Sequence, residues 1–469
     1  MIRCQAPALF AVPGPACTLP GGVGTAFFMT FSESFAPKVL PVALKPLPLS
    51  MMGAPRHMAT PAEGVAHTST TNNTYEITVI STKTLMVNRF ILNEVSYFGP
   101  GARKELPGVV ARLGFTKALV VTDKGLMKFG VAKMVLDVLD EAHIPYAVYD
   151  EVKPNPTVTN VKMGVEALKA AQADFIVAIG GGSSMDTAKG IGIVSNNPEF
   201  ADVVSLEGVA DTKKKTVPII ALPTTAGTAA ETTINYVIID ESKQKKMVCV
   251  DPNDIPCVAI VDAELMYSLP KGLTAATGMD AMTHAIEGLI TKAAWELSDM
   301  FEIKAIQMIH KYLPIAVEDP KNPEGRNGMA VAQYVAGMAF SNVGLGVDHG
   351  MAHPMSALHD VPHGVACAIL LPTVMRFNAP AALDKYVDIA KALDVYRDGM
   401  TKEDAADAAC TEIENLSRRV GIPAHLSELG ITEKDIDALA DQAIVDVCTP
   451  GNPREVTRDD IVALYKKIL

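Results

Sequence analysis

The sequence is short of the features that mark several classes of protein. Its 469 residues hold seven cysteines, scattered singly as Cys4, Cys17, Cys249, Cys257, Cys367, Cys410 and Cys448, with no CxxC pair. An odd, dispersed set excludes a disulfide scaffold or a cysteine zinc finger and fits a reducing compartment, the cytoplasm. No apolar run reaches the ~18 residues of a membrane span, so no membrane partner is expected. Basic residues are outnumbered, 41 against 53 acids, and the net charge is −12. That excludes nucleic-acid binding by bulk electrostatics. An acidic chain can still hold an anion at a helix N-terminus. Hydrophobic residues make up 49% and charged residues 20%, enough for a sizeable core and against overall disorder. The length suggests two or more domains.

Acids are scarce in the first 84 residues: Glu33, Glu63 and Glu76 are three of 53, while ten of the 31 prolines fall there. Neither a helical nor a strand period persists. A poorly ordered extension is expected, or a start codon assigned too early, with Met86 opening the folded part. Few acids also suit an organelle-targeting peptide, but only four basic residues precede position 60.

From residue 85 the texture changes. ALVV (118–121), YAVYD, DFIVAIGGGSS and VPIIALPTTAGT alternate with amphipathic stretches such as VAKMVLDVLDEA and VKMGVEALKAA. Strand–helix alternation predicts an α/β domain with a Rossmann-like parallel sheet over 85–269. Ligands of such sheets bind beyond the carboxyl ends of the strands. After 270 long helical patterns take over, which predicts an all-α domain over 270–469.

Gly180-Gly181-Gly182-Ser183-Ser184 joins an apolar strand to a helix, with Asp186 expected in the first helical turn. Such a turn either cradles a phosphate or merely links the two elements; it is neither GxGxxG nor a P-loop. The hydroxyls of Thr224, Thr225 and Thr228, after the next strand, either bond a ribose or pyrophosphate or cap a helix. Asp123, just past ALVV, either bonds the ribose of an adenosine, which favours NAD over NADP, or is an N-cap.

Histidine is the informative count: four of ten lie between 349 and 363. Asp280 and His284 are four apart, as are His349 and His353, and His363 follows. On a helix that spacing puts two side chains on one face. Asp with three histidines suits a borderline divalent metal, Fe2+ or Zn2+. Spacing does not say which histidine is left out, and Pro354 turns His353 away from an ideal helix. No cysteine is expected near this cluster, which argues against a structural cysteine–zinc site. His359 is expected in a loop, solvated or structural. Asp348 either orients His349 or faces solvent.

Four segments, GGGSSMDTAKGIGI, ALPTTAGTAAETTINYVI, TAATGMDAMTHAIEG and GLGVDHGMAHPMSALHDVPHGVA, resemble signatures of the iron-dependent (group III) alcohol dehydrogenases. The similarity runs from about Met86 to the C-terminus. KKMVCVDPNDIP and VCTPGNPREVTRDDIVALY resemble, more narrowly, the branch that interconverts lactaldehyde and 1,2-propanediol.

The resemblance implies a dinucleotide-binding α/β domain, a helical metal-binding domain and an active site in the cleft between them. It implies Fe2+ ligands at Asp280, His284, His349 and His363, with Zn2+ a substitute, and His353 beside the metal as proton relay. Asp123 matches the NAD-selecting acid. Asn155, Gly181, Gly182, Ser183, Thr224, Thr225, Val237, Lys246 and Leu265 match positions contacting NAD(H). Phe340 and Cys448 match a pocket for a small alcohol or aldehyde. Asp348 stands where the family has an apolar residue. The family's first strand, near Val87–Phe98, implies a homodimer. The same motifs serve dehydrogenases of 1,3-propanediol, methanol and other primary alcohols. A zinc-dependent polyol dehydrogenase and a non-catalytic metal- or nucleotide-binding protein are the remaining alternatives.

Overall fold

The computed structural model describes residues 66–71, 74–79 and 87–469. It divides into two units, Met1–Leu85 and Met86–Leu469. In the first, β1 (Ala66–Thr71) and β2 (Thr74–Val79) pair antiparallel, from Ala66↔Val79 to Thr71↔Thr74. The rest of the extension expected over 1–84 lies outside the described residues.

The second unit begins as a parallel sheet. Its strands are β3 (Val95–Phe98), β4 (Ala118–Val121), β5 (Tyr146–Tyr149) and β6 (Phe175–Gly180). Then follow β7 (Gly208–Val209), β8 (Ile219–Pro223), β9 (Asn235–Asp240), β10 (Lys245–Val250) and β11 (Val258–Val261). Six of them lie in the order β3-β11-β8-β6-β4-β5, every pairing parallel. β7, β10 and β9 make a separate small sheet. β4, β6, β8 and β11 are buried at every residue. That is why they read as unbroken apolar runs rather than alternating ones.

Helices cover both faces. On one side α1 (Leu106–Leu113), the short α2 (Lys124–Lys128) and α3 (Val131–Glu141) precede β5, and α1 and α3 pack on Val120, Val177, Ile220 and Ile260. On the other, α4 (Val158–Ala171) and α5 (Gly182–Asn196) pack on Leu119, Ile176, Ala178 and Ala221. The two sets of strand residues alternate, as the pleat requires. The chain steps outward from β4 to β5, then returns to β6 and moves the other way. The switch falls between β4 and β6, where a crevice opens beyond the strand ends.

No strand follows Val261 among the described residues. The helices are α6 (Lys271–Ile290), α7 (Glu296–Glu318), α8 (Pro323–Val343), α9 (Val347–His359) and α10 (His363–Asn378). They are followed by α11 (Leu383–Ala392), α12 (Lys402–Val420), α13 (Ile436–Ala443) and α14 (Arg458–Lys467). α6 is buried on almost every side, which explains its lack of a polar stripe. Taken singly, the helical segment His363–Ala381, α10 with the turn that follows it, is apolar and long enough to cross a membrane, although no such run was expected; most of it is buried. It packs Ala366, Ile369 and Leu370 into one core and Ala368 and Leu371 into another. Pro354 stays inside α9, which runs on to His359. The expected loop at His359 is therefore the last turn of a helix, and its Nε2 lies 3.9 Å from Asp435 Oδ1.

Candidate metal centre and nucleotide crevice

The glycine turn and the threonine turn form one structure. Gly180 has φ 155°, and a Cβ there would collide with the Ser184 side chain. The N–H of Thr224 donates to Gly180 O at 2.9 Å. Cβ atoms at Gly181 and Gly182 would meet Thr225 Cγ2 at 3.1 Å and Thr228 Cγ2 at 2.9 Å. The free N–H groups at the start of α5 thus sit in a shallow, threonine-walled cradle. Ser183 is in its first turn, and Thr187 Oγ1 donates to Ser183 O at 2.8 Å.

Asp186 is one residue too late for that turn, which holds no acid. It faces Lys189, the backbone of Val237 and Lys246, and burial pushes its carboxyl up to about 7. Asp123 is the N-cap of α2, its Oδ1 accepting from Leu126 N–H at 2.9 Å. Both turns lie on the crevice between β4 and β6. Asn155, at φ 53°, reaches toward the helical part, its Nδ2 donating to Asp360 Oδ1 at 3.4 Å. Val237 and Lys246 stand on β9 and β10. Leu265 stands in the turn just past β11, its side chain buried with residues of α1 and α3.

The histidines converge from three helices. Asp280 and His284 lie on α6, His349 and His353 on α9, and His363 opens α10. Asp280 Oδ1 is 3.9 Å from His349 Nε2 and 3.7 Å from His363 Nε2. The His284 ring stacks between His349, at 4.5 Å, and Phe340, at 4.1 Å. His353 lies 5.4 Å from His363, ring centre to ring centre. Despite Pro354, it shares α9 with His349.

Close approach here depends on a missing side chain. A Cβ at Gly364 would run into the backbone of Ala276, with its carbonyl carbon at 2.8 Å. Glycine therefore lets the start of α10 touch α6 beside Asp280.

Asp280 Oδ1, His284 Nδ1 and His349 Nε2 are buried without a hydrogen-bond partner. Buried polar atoms left without a partner are costly unless something fills the gap. Burial pushes the Asp280 carboxyl up to about 6. Burial, then the neighbouring His349 and His353, push His284 well below the usual range, so it stays neutral. His363 is pushed well below its ordinary value by burial and by Lys246. A carboxylate with neutral imidazoles is a donor set that fits a divalent metal.

Two expectations need correction. Cys367 lies one helical turn after His363 and is fully buried, so the site is not free of sulfur. Its Sγ is 3.7 Å from His363 Nε2, and it joins Asp280, His349 and His363 in a group of four donors whose ligand atoms all lie within 4.8 Å of one another. His284 is outside that group of four. Asp348 is buried, with both carboxylate oxygens unpartnered, and neither orients His349 nor faces solvent. The orienting acid is Glu287 on α6, whose Oε2 is 2.6 Å from His349 Nδ1. Sequence reasoning missed Glu287 and also Asp446, whose Oδ2 is 2.8 Å from His353 Nδ1. Glu287 is seven residues after Asp280, two turns along the same face, and that spacing was a readable signal.

Residues 93–263 match the model of the iron-containing alcohol dehydrogenases, and 274–469 match that family's C-terminal part. The chain belongs to the iron-containing alcohol dehydrogenases. It is 56% identical over 380 residues to lactaldehyde reductase of Escherichia coli, covering 81% of this chain and 99% of that one. It is 40% identical to the NAD-dependent methanol dehydrogenase of Bacillus methanolicus, covering 82% and 100%. Among solved structures, 1,3-propanediol oxidoreductase superposes with a TM-score of 0.80 at 40% identity, covering 82% and 100%. The α/β sheet followed by a helical part is the architecture of this family.

Proposed function

We propose that this alcohol dehydrogenase is an NAD(H)-dependent lactaldehyde reductase, interconverting lactaldehyde and 1,2-propanediol. The observation that carries the reading is the convergence of Asp280, His349 and His363 on one spot, with His284 and His353 beside them. The likeness to lactaldehyde reductase over nearly its whole length supports the substrate.

Asp280, His284, His349 and His363 would hold Fe2+, with Zn2+ as a substitute. The bound metal supplies Lewis-acid polarisation of the substrate oxygen. A bound dinucleotide would supply the hydride acceptor for the alcohol, or as NADH the hydride donor for the aldehyde. The chain's own part is placement. The N–H groups at the start of α5 and the hydroxyls of Thr224, Thr225 and Thr228 bind the pyrophosphate. Asp123 bonds the ribose, its second oxygen being outside the cap. Phe340 and Cys448 bound the substrate pocket and limit its size. His353 takes the hydroxyl proton at Nε2 as the alcohol is oxidised and gives it back in reduction.

β3 is an edge strand, which supports pairing with a second copy in a homodimer. All five cysteines among the described residues are unpaired, which supports a reducing compartment.

The test is to purify the protein without oxygen, reload it with Fe2+ and follow NADH. L-lactaldehyde and (S)-1,2-propanediol are compared with ethanol, methanol and 1,3-propanediol. Preference for the first pair is expected. Preference for another alcohol keeps the metal and cofactor reading and overturns the substrate.

A further inference from the structure

We propose that Asp446 is the positioning residue for His353, holding its Nδ1–H so that Nε2 is the nitrogen presented to the substrate. This rests on the role given to His353 above.

Asp446 lies in the turn after α13, 93 residues from its partner. Its Oδ2 is 2.8 Å from His353 Nδ1, and its Oδ1 accepts the N–H of Cys448 at 2.9 Å. Both oxygens are therefore engaged, one by the ring and one by the backbone of its own turn. That turn is itself fastened. Asp446 N–H donates to Ala443 O at 3.3 Å, Thr449 N–H donates to Asp446 O at 3.2 Å, and Thr449 Oγ1 donates to Ala443 O at 2.7 Å. The carboxylate would stay in place without the imidazole, so the order of dependence runs from Asp446 to His353.

The two side chains are 10% and 7% exposed, so water competes little for either partner. Burial alone would raise the Asp446 carboxyl. The charge and hydrogen bond of His353, with the N–H of Cys448, instead hold it below the ordinary range. An ionised carboxylate is an acceptor only, so the facing Nδ1 carries the proton. A neutral imidazole has one such proton, and Nε2 is then the basic nitrogen. The other face of the ring lies against His363 at an interplanar angle of 15°. Hydrogen bond and stack together fix both the tautomer and the tilt. Cys448, matched to the substrate pocket, is two residues from Asp446, so the same turn shapes the pocket wall.

The experiment compares the Fe2+-loaded wild type with Asp446→Asn, Asp446→Glu, His353→Ala and the double variant Asp446→Asn/His353→Ala. For each, kcat and KM are measured in both directions, with metal content and NADH binding as readouts that need no turnover. In Asp446→Asn the amide offers Nδ1 a donor as readily as an acceptor. A fall in kcat of about 10²-fold or more is expected, with KM, metal content and NADH affinity within about threefold of wild type. Asp446→Glu should recover part of the loss. Adding Asp446→Asn to His353→Ala should cost nothing further, because residues acting as one unit are not additive. Additive losses in the double variant would overturn the assignment, as would loss of metal or NADH binding in step with kcat. A wild type that turns over none of the alcohols overturns the functional reading instead. An active wild type matched by Asp446→Asn overturns only the role of Asp446.

Discussion

Glu287 holds His349 by its ring and by its helix at once. Oε2 is 2.6 Å from the ring Nδ1 and 3.4 Å from the backbone N–H of His349, while Oε1 accepts the N–H of Asp348 at 2.8 Å. α9 begins after Gly346, which has no side chain to cap it. A carboxylate from α6 does so instead, favoured by the positive end of the helix. Burial alone would lower the His349 imidazole; the hydrogen bond and charge of Glu287 raise it.

Glu287→Gln should therefore loosen the metal without removing a ligand. The expected loss is about 10- to 100-fold in Fe2+ affinity, read by competition with a chelator. Unchanged affinity would mean that the contact serves only to cap α9.

Asp123→Gly should shift cofactor choice. Removing the carboxylate from the crevice removes repulsion of a 2′-phosphate, and the ratio of kcat/KM for NADP to that for NAD should rise about tenfold or more. Replacing an N-cap by glycine costs only a few tenths of ~1 kcal/mol, so stability should hardly move. An unchanged ratio would leave Asp123 as a cap alone.

Glu302 gives a pH dependence with a definite sign. Burial, and then the charge of Asp299, push its carboxyl well above the ordinary range, and both its oxygens lack partners. A raised carboxyl favours folding fully below its unfolded value of about 4.3. That contribution is lost as the pH rises toward the folded value. Glu302→Gln keeps the shape without the titration. Its urea midpoint should gain on wild type between pH ~5 and ~8. A constant gap across that range would show that Glu302 does not titrate there.

Gly364→Ala should separate α10 from α6. The added methyl meets main chain at Ala276, which cannot swing aside, and its next neighbour is Asp280 Cβ at 3.3 Å. Loss of bound metal is expected, together with about 1–3 kcal/mol of stability. Metal content close to wild type would show that α10 can shift without opening the site.

Much of this was readable before any coordinates. Wholly buried strands can only be apolar runs, and ALVV, FIVAI and IIALP read as such runs; VAIV, the fourth, was passed over. Helical patterning marked 270–469 as all-α, and four-residue spacing paired Asp280 with His284 and His349 with His353; α9 and α10 carry too little amphipathic period to be picked out singly, being buried on most sides. What could not be read was the supporting contacts. Glu287 meets His349 across 62 residues, and Asp446 meets His353 across 93. No local pattern encodes such distances. Asp348 misled because a charged residue beside a ligand suggests a partner or solvent, whereas α9 is buried at that turn as well. Cys367 was overlooked although its spacing from His363 is the same i,i+4 used to pair the histidines.

The donors of the candidate centre come from α6, α9 and α10, and that fact reaches beyond chemistry. An ion held there ties together three segments that the unfolded chain lets drift apart. It therefore enters the folding equilibrium by mass action. Each tenfold rise in free metal above its dissociation constant adds about 1.4 kcal/mol to the folded side. Iron supply would then set how many molecules persist as well as how fast each one works, and starvation for the metal would be felt first as a thinning of the enzyme population.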